Sequence, residues 1–448
     1  MRTSVKLGYL LFALLLSAPA WPQAAPTVTG GLGNVSDETR MLIPPPVSAS
    51  GYADWVPSER QENFLSAGMV VSGAYDDNIL VGSSTVPVSD TSYSFWPTVS
   101  FDQATQRLRQ TYIYNSGYTF YHHTSALNET DQNASANIGY RLSPNVTITG
   151  LDLFQKSSNV FGQPFSYSDG VLPGAPQSQI TSILAPFAKR TTNNADAQLT
   201  YQFKINDMVG VSGNSVVLDY PDPSQAPGLY NSNNFGGSAF YTHRLANGRY
   251  VGAIYQYART NISPGDLQSV TDTDRFFGFI TFYLRRNLSL SFSGGPEYFA
   301  TTLPPFAPAH SWKPAGSASL AWEARHATVI ATYSRDVTAG GGLLGVFNSN
   351  SANLSVRWQL AHNWVAGVAG NYFDTTNAVP SYPLFNPGGS SISASPSVSY
   401  TISSHLQVEV GYNRLHQRYN TVAILANNPD SNREYVSLSY QFKRPFGR

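Results

Sequence analysis

The chain has 448 residues with 27 basic and 27 acidic side chains, and only 12% of it is charged. Soluble domains carry about 25%, so the exterior is covered by something else, and Tyr (27), Phe (24) and Gly (36) are plentiful. The even charge balance provides no basic footprint for nucleic acid, and the absence of cysteine excludes disulfides, a lipoprotein anchor and thiolate chemistry.

Residues 1–20 read as a secretory signal peptide. Arg2 and Lys6 precede an apolar run from Leu7 to Leu16, and Ala18-Pro19-Ala20 supplies a small-x-small cleavage site. No later run of 18 apolar residues occurs, so transmembrane helices are not expected. Residues 21–62 are Pro-, Gly- and Ser-rich, include Pro44-Pro45-Pro46 and show no periodicity. They read as a flexible periplasmic leader, with partner docking by the triple proline as a second reading.

From residue 63 to 448 the pattern is that of paired strands. Val436, Leu438, Tyr440 and Phe442 alternate with Ser437, Ser439 and Gln441, which gives one greasy and one wet face. Short connections centre on Leu142–Asn145, Lys204–Asp207, Leu245–Gly248, Arg285–Asn287, Glu323–His326, Leu360–Asn363 and Ile402–His405, with an eighth near Ala104. Between them lie longer polar segments near 76–90, 122–130, 158–188, 220–231, 261–272, 301–311, 338–349, 375–389 and 420–431. Short periplasmic turns and long external loops mark an outer-membrane barrel. Eight turns and nine loops predict an all-β, up-and-down transmembrane β-barrel of about eighteen strands, sixteen being the alternative. Lipid, lipopolysaccharide and the barrel assembly machinery are the partners such a wall expects; oligomeric state is open.

A charge on the lipid face costs about 2–4 kcal/mol at mid-membrane. Arg109, Arg141, Asp196, Glu297, Glu323 and Arg357 are therefore expected to line the lumen. Ser and Asn on the same face describe a wet interior, and barrels of this size enclose an aqueous channel. Tyr440 and Phe442 on the final strand are expected to carry the assembly signal.

The first hairpin carries a family resemblance. Ser66–Ile79, with Tyr75-Asp76-Asp77-Asn78, then Trp96–Phe101 and Tyr112–Tyr121, resemble the β-barrel porin 2 family of bacterial outer-membrane proteins and related exopolysaccharide-associated barrels. The resemblance is sharpest over residues 64–142. It implies a barrel of undefined substrate, with polysaccharide export as one role.

Other motifs have bland readings beside sharp ones. Asp76 and Asp77 with His122 and His123 suggest a carboxylate–imidazole site at the rim or a cation site, against simple strand capping. His326, His362 and His405 each sit in a separate turn, which argues against a metal cluster. Gly294-Gly295 and Gly340–Gly342 precede no helix and are not phosphate cradles. Loop 158–188 is the longest and the third external one. In general porins that loop narrows the channel, so Phe161, Phe165 and Asp169 are constriction candidates, against an external cap. No cofactor or metal is expected. The leading functional expectation is a passive or weakly selective channel for small hydrophilic solutes rather than an enzyme. The alternatives are a conduit or scaffold for exopolysaccharide and a rim enzyme.

Overall fold

The computed structural model describes residues 41–48, 63–81, 84, 86–157, 189–222, 224, 226–246, 248–264, 268–285, 287–340, 342–379, 388–419 and 430–446. Six strands open the barrel: β1 (Phe64–Asp76), β2 (Asp90–Ala104), β3 (Leu108–Tyr121), β4 (Glu129–Ser143), β5 (Val146–Ser157) and β6 (Arg190–Lys204). Six follow: β7 (Asp207–Asp219), β8 (Asn231–Ala246), β9 (Arg249–Ser263), β10 (Ser269–Arg285), β11 (Leu288–Thr302) and β12 (Ala309–Glu323). The last are β13 (Ala327–Gly340), β14 (Leu343–Ala361), β15 (Trp364–Asn377), β16 (Gly389–Ser403), β17 (Leu406–Tyr419) and β18 (Asp430–Pro445).

Each strand is antiparallel to its chain neighbours, and β1 pairs β18 from Phe64↔Pro445 to Asp76↔Arg433. That last pairing closes an 18-stranded barrel, as the turn spacing predicts. Closure joins the first strand to the last in a continuous ring, which is the general form of a strand-built membrane span.

The outer face is apolar and banded. Tyr140, Tyr201, Trp322, Trp358, Trp364, Tyr400 and Tyr440 are exposed toward the short turns, and Tyr75, Tyr93, Phe120, Phe235, Phe276 and Trp312 toward the long loops. These are the two aromatic girdles of a membrane barrel. The inner face is laddered with hydroxyls at directly paired positions: Ser94–Thr119 (3.0 Å), Ser212–Ser238 (2.8 Å), Thr271–Thr301 (2.8 Å), Thr281–Ser291 (2.7 Å), Ser293–Ser317 (2.7 Å) and Ser334–Ser351 (2.7 Å). Small hydroxyls satisfy one another there and leave room for water. Large rings on this face lie over glycines. Trp96 covers Gly117 so closely that a Cβ there would fall 2.4 Å from the indole.

Two expected loops are mostly strand. Residues 261–263 and 269–272 are strand, as are 338–340 and 343–349. Ser, Thr, Asn and Gly mark a loop in water and equally a strand that faces a wet bore, so composition alone misplaced these boundaries.

Candidate functional site: an occluded bore

The segment read as a seventh external loop is the top of the β13–β14 hairpin, and it folds into the bore. β13 pairs β12 only from Gly316↔Arg335 to Glu323↔Thr328, whereas its pairing with β14 continues to Gly340. Beyond Arg335 the hairpin leaves the wall and approaches β8, β9 and β11, none of them its neighbour in the sheet. Its apolar side chains explain the move. Leu343, Leu344, Val346 and Phe347 are all buried, each worth about 1.5–3 kcal/mol when taken from water.

Two clusters receive them. Leu343 and Phe347 pack with Leu218, Tyr220, Ala226 and Leu229 of the β7–β8 region and with Tyr419 of β17. Around the ring β7 and β17 are eight strands apart by the shorter way (six to β1, one to β18, one to β17). Side chains that far apart meet only across the mouth. Leu344 and Val346 pack with Ile262, Phe299, Leu303, Val337, Ala378 and Val379. At the hairpin tip Gly342 (φ +88°) donates no side chain, and a Cβ would fall 2.7 Å from the Tyr220 hydroxyl. The Gly342 carbonyl accepts from the Tyr230 amide at 2.8 Å. Burial pushes the Tyr220 hydroxyl pKa up, so this contact stays neutral.

A charged latch holds the departing strand. Glu297 of β11 is fully buried; its Oε1 accepts from Arg275 Nε of β10 at 2.6 Å. Its Oε2 accepts from the Val337 amide at 2.8 Å, and Arg275 Nη2 donates to the Val337 carbonyl at 2.9 Å. Asp336 stands 3.7 Å from the same guanidinium. Two side chains thus replace the ladder bonds that Val337 would make to β12, and the backbone groups stay satisfied.

The other end of the bore is also occupied. Residues 41–48 of the leader lie on the inner wall, so this stretch is packed and not a free tether. Met41, Ile43 and Val47 cover an apolar ledge of Met208, Phe240, Tyr250, Ile254 and Phe279 near the short turns. The Met41 amide donates to Gln202 Oε1 at 3.0 Å, and Gln198 Nε2 donates to the Val47 carbonyl at 2.5 Å. Pro45–Val47 form a single 3₁₀ turn, so the triple proline is part of this contact. The interior is therefore not uniformly wet.

Alternation from exposed outer neighbours places all six lumen candidates on the inner side of their strands. Arg109, Arg141, Glu323 and Arg357 lie near the short turns, Asp196 lies mid-strand, and Glu297 is committed to the latch. The first five do not gather into one site. Arg275, Asp336 and the hairpin were not singled out by sequence. Loop 158–188, with Phe161, Phe165 and Asp169, lies outside the described residues, as do residues 1–20. Tyr440 and Phe442 face outward beside the closing seam, opposite Met69 and Ala67.

At the rim, Asp76 and Asp77 bond groups at the neighbouring strand ends, in keeping with the bland reading. Asp76 Oδ1 accepts from the Asn78 amide (2.9 Å) and Ser431 Oγ (3.0 Å), and Asp77 accepts from the Asn432 amide (2.7 Å). Histidine meets a different carboxylate: His123 Nδ1 is 3.1 Å from Asp90 Oδ1 and 3.3 Å from His122 Nδ1. These three groups have the spacing of a metal site. Asp90, however, already accepts from the amides of Thr91, His123 and Thr124 and from the Thr124 hydroxyl. The carboxylate is spent as a staple of the β3–β4 loop. His326, His362 and His405 remain in separate turns, and His405 bonds Ser404 at 2.8 Å.

No family model and no curated sequence matches this chain. Solved structures of similar architecture include the FrpB iron transporter of Neisseria meningitidis in its apoprotein form, at 10% identity and TM-score 0.40; the match covers 80% of this chain and 62% of that one. OpdO of Pseudomonas aeruginosa matches at 12% identity and TM-score 0.40 over 85% of this chain and 97% of its own. OpdK of the same organism, solved with vanillate, matches at 9% identity and TM-score 0.39 over 85% and 99%. The chain spans under two thirds of the FrpB structure, and likeness at this level says nothing of a solute.

Proposed function

We propose that this protein is an outer-membrane transport channel for small hydrophilic solutes whose bore is narrowed by its own β13–β14 hairpin. The observation that carries the reading is the hairpin itself, turned inward and bound through both backbone groups of Val337 to Glu297 and Arg275. An 18-stranded wall would otherwise enclose a wide aqueous bore. Hydroxyl ladders and scattered charges of both signs suit neutral or weakly charged solutes. Export by the signal peptide and insertion through the barrel assembly machinery into a lipopolysaccharide-bearing membrane belong to the same reading. The resemblance to the β-barrel porin 2 family accords with it. Polysaccharide export gains no support, because a polymer would have to thread past the hairpin and residues 41–48.

Planar-bilayer recording tests the proposal. Replacing residues 338–347 by a four-residue Gly/Ser turn is expected to raise unitary conductance several-fold over a small, infrequently open wild type. A folded variant with unaltered conductance overturns the channel reading.

A further inference from the structure

We propose that the parted seam between β12 and β13 is a lateral portal through which anionic amphiphiles, specifically medium-chain carboxylates, pass between the bore and the outer leaflet. This goes beyond axial conduction and rests on a separate observation, the end of the β12–β13 ladder at Gly316↔Arg335. Among the described residues nothing pairs with the β13-facing edge of β12 over 309–315. The paired part, Gly316–Glu323 against Thr328–Arg335, is eight residues long. At about 3.3 Å per residue and a tilt of about 40°, it rises about 20 Å above the short turn. The apolar band of such barrels is about 25 Å tall, so the seam opens within the outer-leaflet half of the membrane.

The edge looks built to stay open. Pro314 lies opposite Pro296 of β11, and neither donates an N–H to any ladder. Strand prolines are confined to edges and bulges. Beside this edge, on the β11–β12 pair, Gly295, Pro296, Trp312, Lys313, Pro314 and Ala315 line a shallow, open and mainly apolar recess of about 490 Å³. Trp312 is 65% exposed on its lipid side. Two cations border the parting: Lys313, half-buried on the inner side of β12, and Arg335, exposed where β13 turns away. Neither has an ion pair among the described residues; Glu297, opposite Lys313, is spent on Arg275 and Val337. An apolar recess bordered by two cations that have no ion pair among the described residues fits an acyl chain with a carboxylate head. The inward hairpin, which blocks the axial mouth, is what parts the seam.

A diazirine-tagged dodecanoate and its methyl ester, reacted with the full barrel in phosphatidylethanolamine/phosphatidylglycerol vesicles, test this by mass-spectrometric mapping. The acid is expected to label residues 311–316 at least fivefold above outward residues of β3 and β4, and also the inward Ser317 and Ser319. The ester labels the seam less. Lys313→Met with Arg335→Met cuts seam labelling at least fivefold. Ala315→Trp, or the milder Ala315→Leu, leaves outer labelling but removes it from Ser317 and Ser319. Heat-modifiable gel mobility verifies each fold. Equal labelling by acid and ester overturns the carboxylate assignment. Labelling that stays outside in the wild type shows a static lipid groove and overturns the portal. Inner labelling unaffected by Ala315→Trp shows entry by the axial mouth and overturns it too. Channel conductance decides none of these outcomes.

Discussion

Removing the latch should open the channel by an amount the structure lets one estimate. Glu297→Ala deletes a fully buried carboxylate that accepts from Arg275 at 2.6 Å and from the Val337 amide at 2.8 Å. A hydrogen bond to a charged acceptor contributes about 1.5–3 kcal/mol, and a buried N–H left without a partner costs about 1–3 kcal/mol. Arg275 keeps its bond to the Val337 carbonyl and its neighbour Asp336, which offsets part of the loss. A net shift of about 3 kcal/mol toward release corresponds to roughly a hundredfold change in the closed–open ratio. Open events in planar bilayers should become more frequent by up to that factor. Glu297→Gln, which retains an oxygen for the Val337 amide, should give only a several-fold change.

A lock separates gating from a merely damaged wall. The chain has no cysteine, so Ile262→Cys with Leu344→Cys, two members of one apolar cluster, introduces a single disulfide between hairpin and wall. Oxidised, this pair should silence the gain of Glu297→Ala; reduction should restore it. If Glu297→Ala conducts as the wild type does, or the locked form conducts as freely as the reduced one, the hairpin does not limit the path.

Placing Ile43→Asp and Val47→Asp on the apolar ledge should detach residues 41–48 and roughly double the conductance of an already latch-free barrel, read in the same bilayers. Tyr440→Ser with Phe442→Ser removes outward apolar area beside the closing seam and should lower the heat-modifiable folded fraction; normal insertion would assign the assembly signal elsewhere. Gly117→Ala drives a methyl into the Trp96 indole, a contact of 2.4 Å, and should cost about 1–3 kcal/mol in urea unfolding; Trp96→Leu should relieve it. Deleting about twenty residues of the loop between Gly162 and Ala185 costs little stability, since flanking strands keep their ladder. It should raise conductance further only if that loop also lies in the path.

The wall was legible because strand period and turn spacing are local. Tyr140, Tyr201, Trp358 and Tyr400 each precede a short polar turn, and counting such turns is enough to count strands. The occlusion was hidden in runs that break the period. Leu343-Leu344-Gly345-Val346-Phe347 puts apolar residues at successive positions, which neither an external loop nor a two-faced strand should do. Met41-Leu42-Ile43 does the same within a polar leader. Apolar residues where water was expected were the available signal. Parity placed Glu297 inward, but its role depends on Arg275 across a strand pair and on the backbone of Val337, forty residues along the chain. No local pattern announces that contact.

The β12-facing edge of β13 cannot lie in the bore and in the wall at once, and this ties the two openings together. Residues 336–340 either follow β14 into the bore, with Glu297 and Arg275 holding Val337, or rejoin β12 along residues 311–315. Freed of the latch, the hairpin has that unpaired edge as its nearest partner, although Pro314 supplies one donor fewer than a regular ladder needs. Rejoining would widen the axial path and shut the lateral one. Glu297→Ala is therefore expected to lower labelling of the β12 edge by a membrane-borne carboxylate in the same preparation that shows more frequent open events. If both rise together, the hairpin is leaving the bore toward solvent and not toward β12, and the two routes are independent.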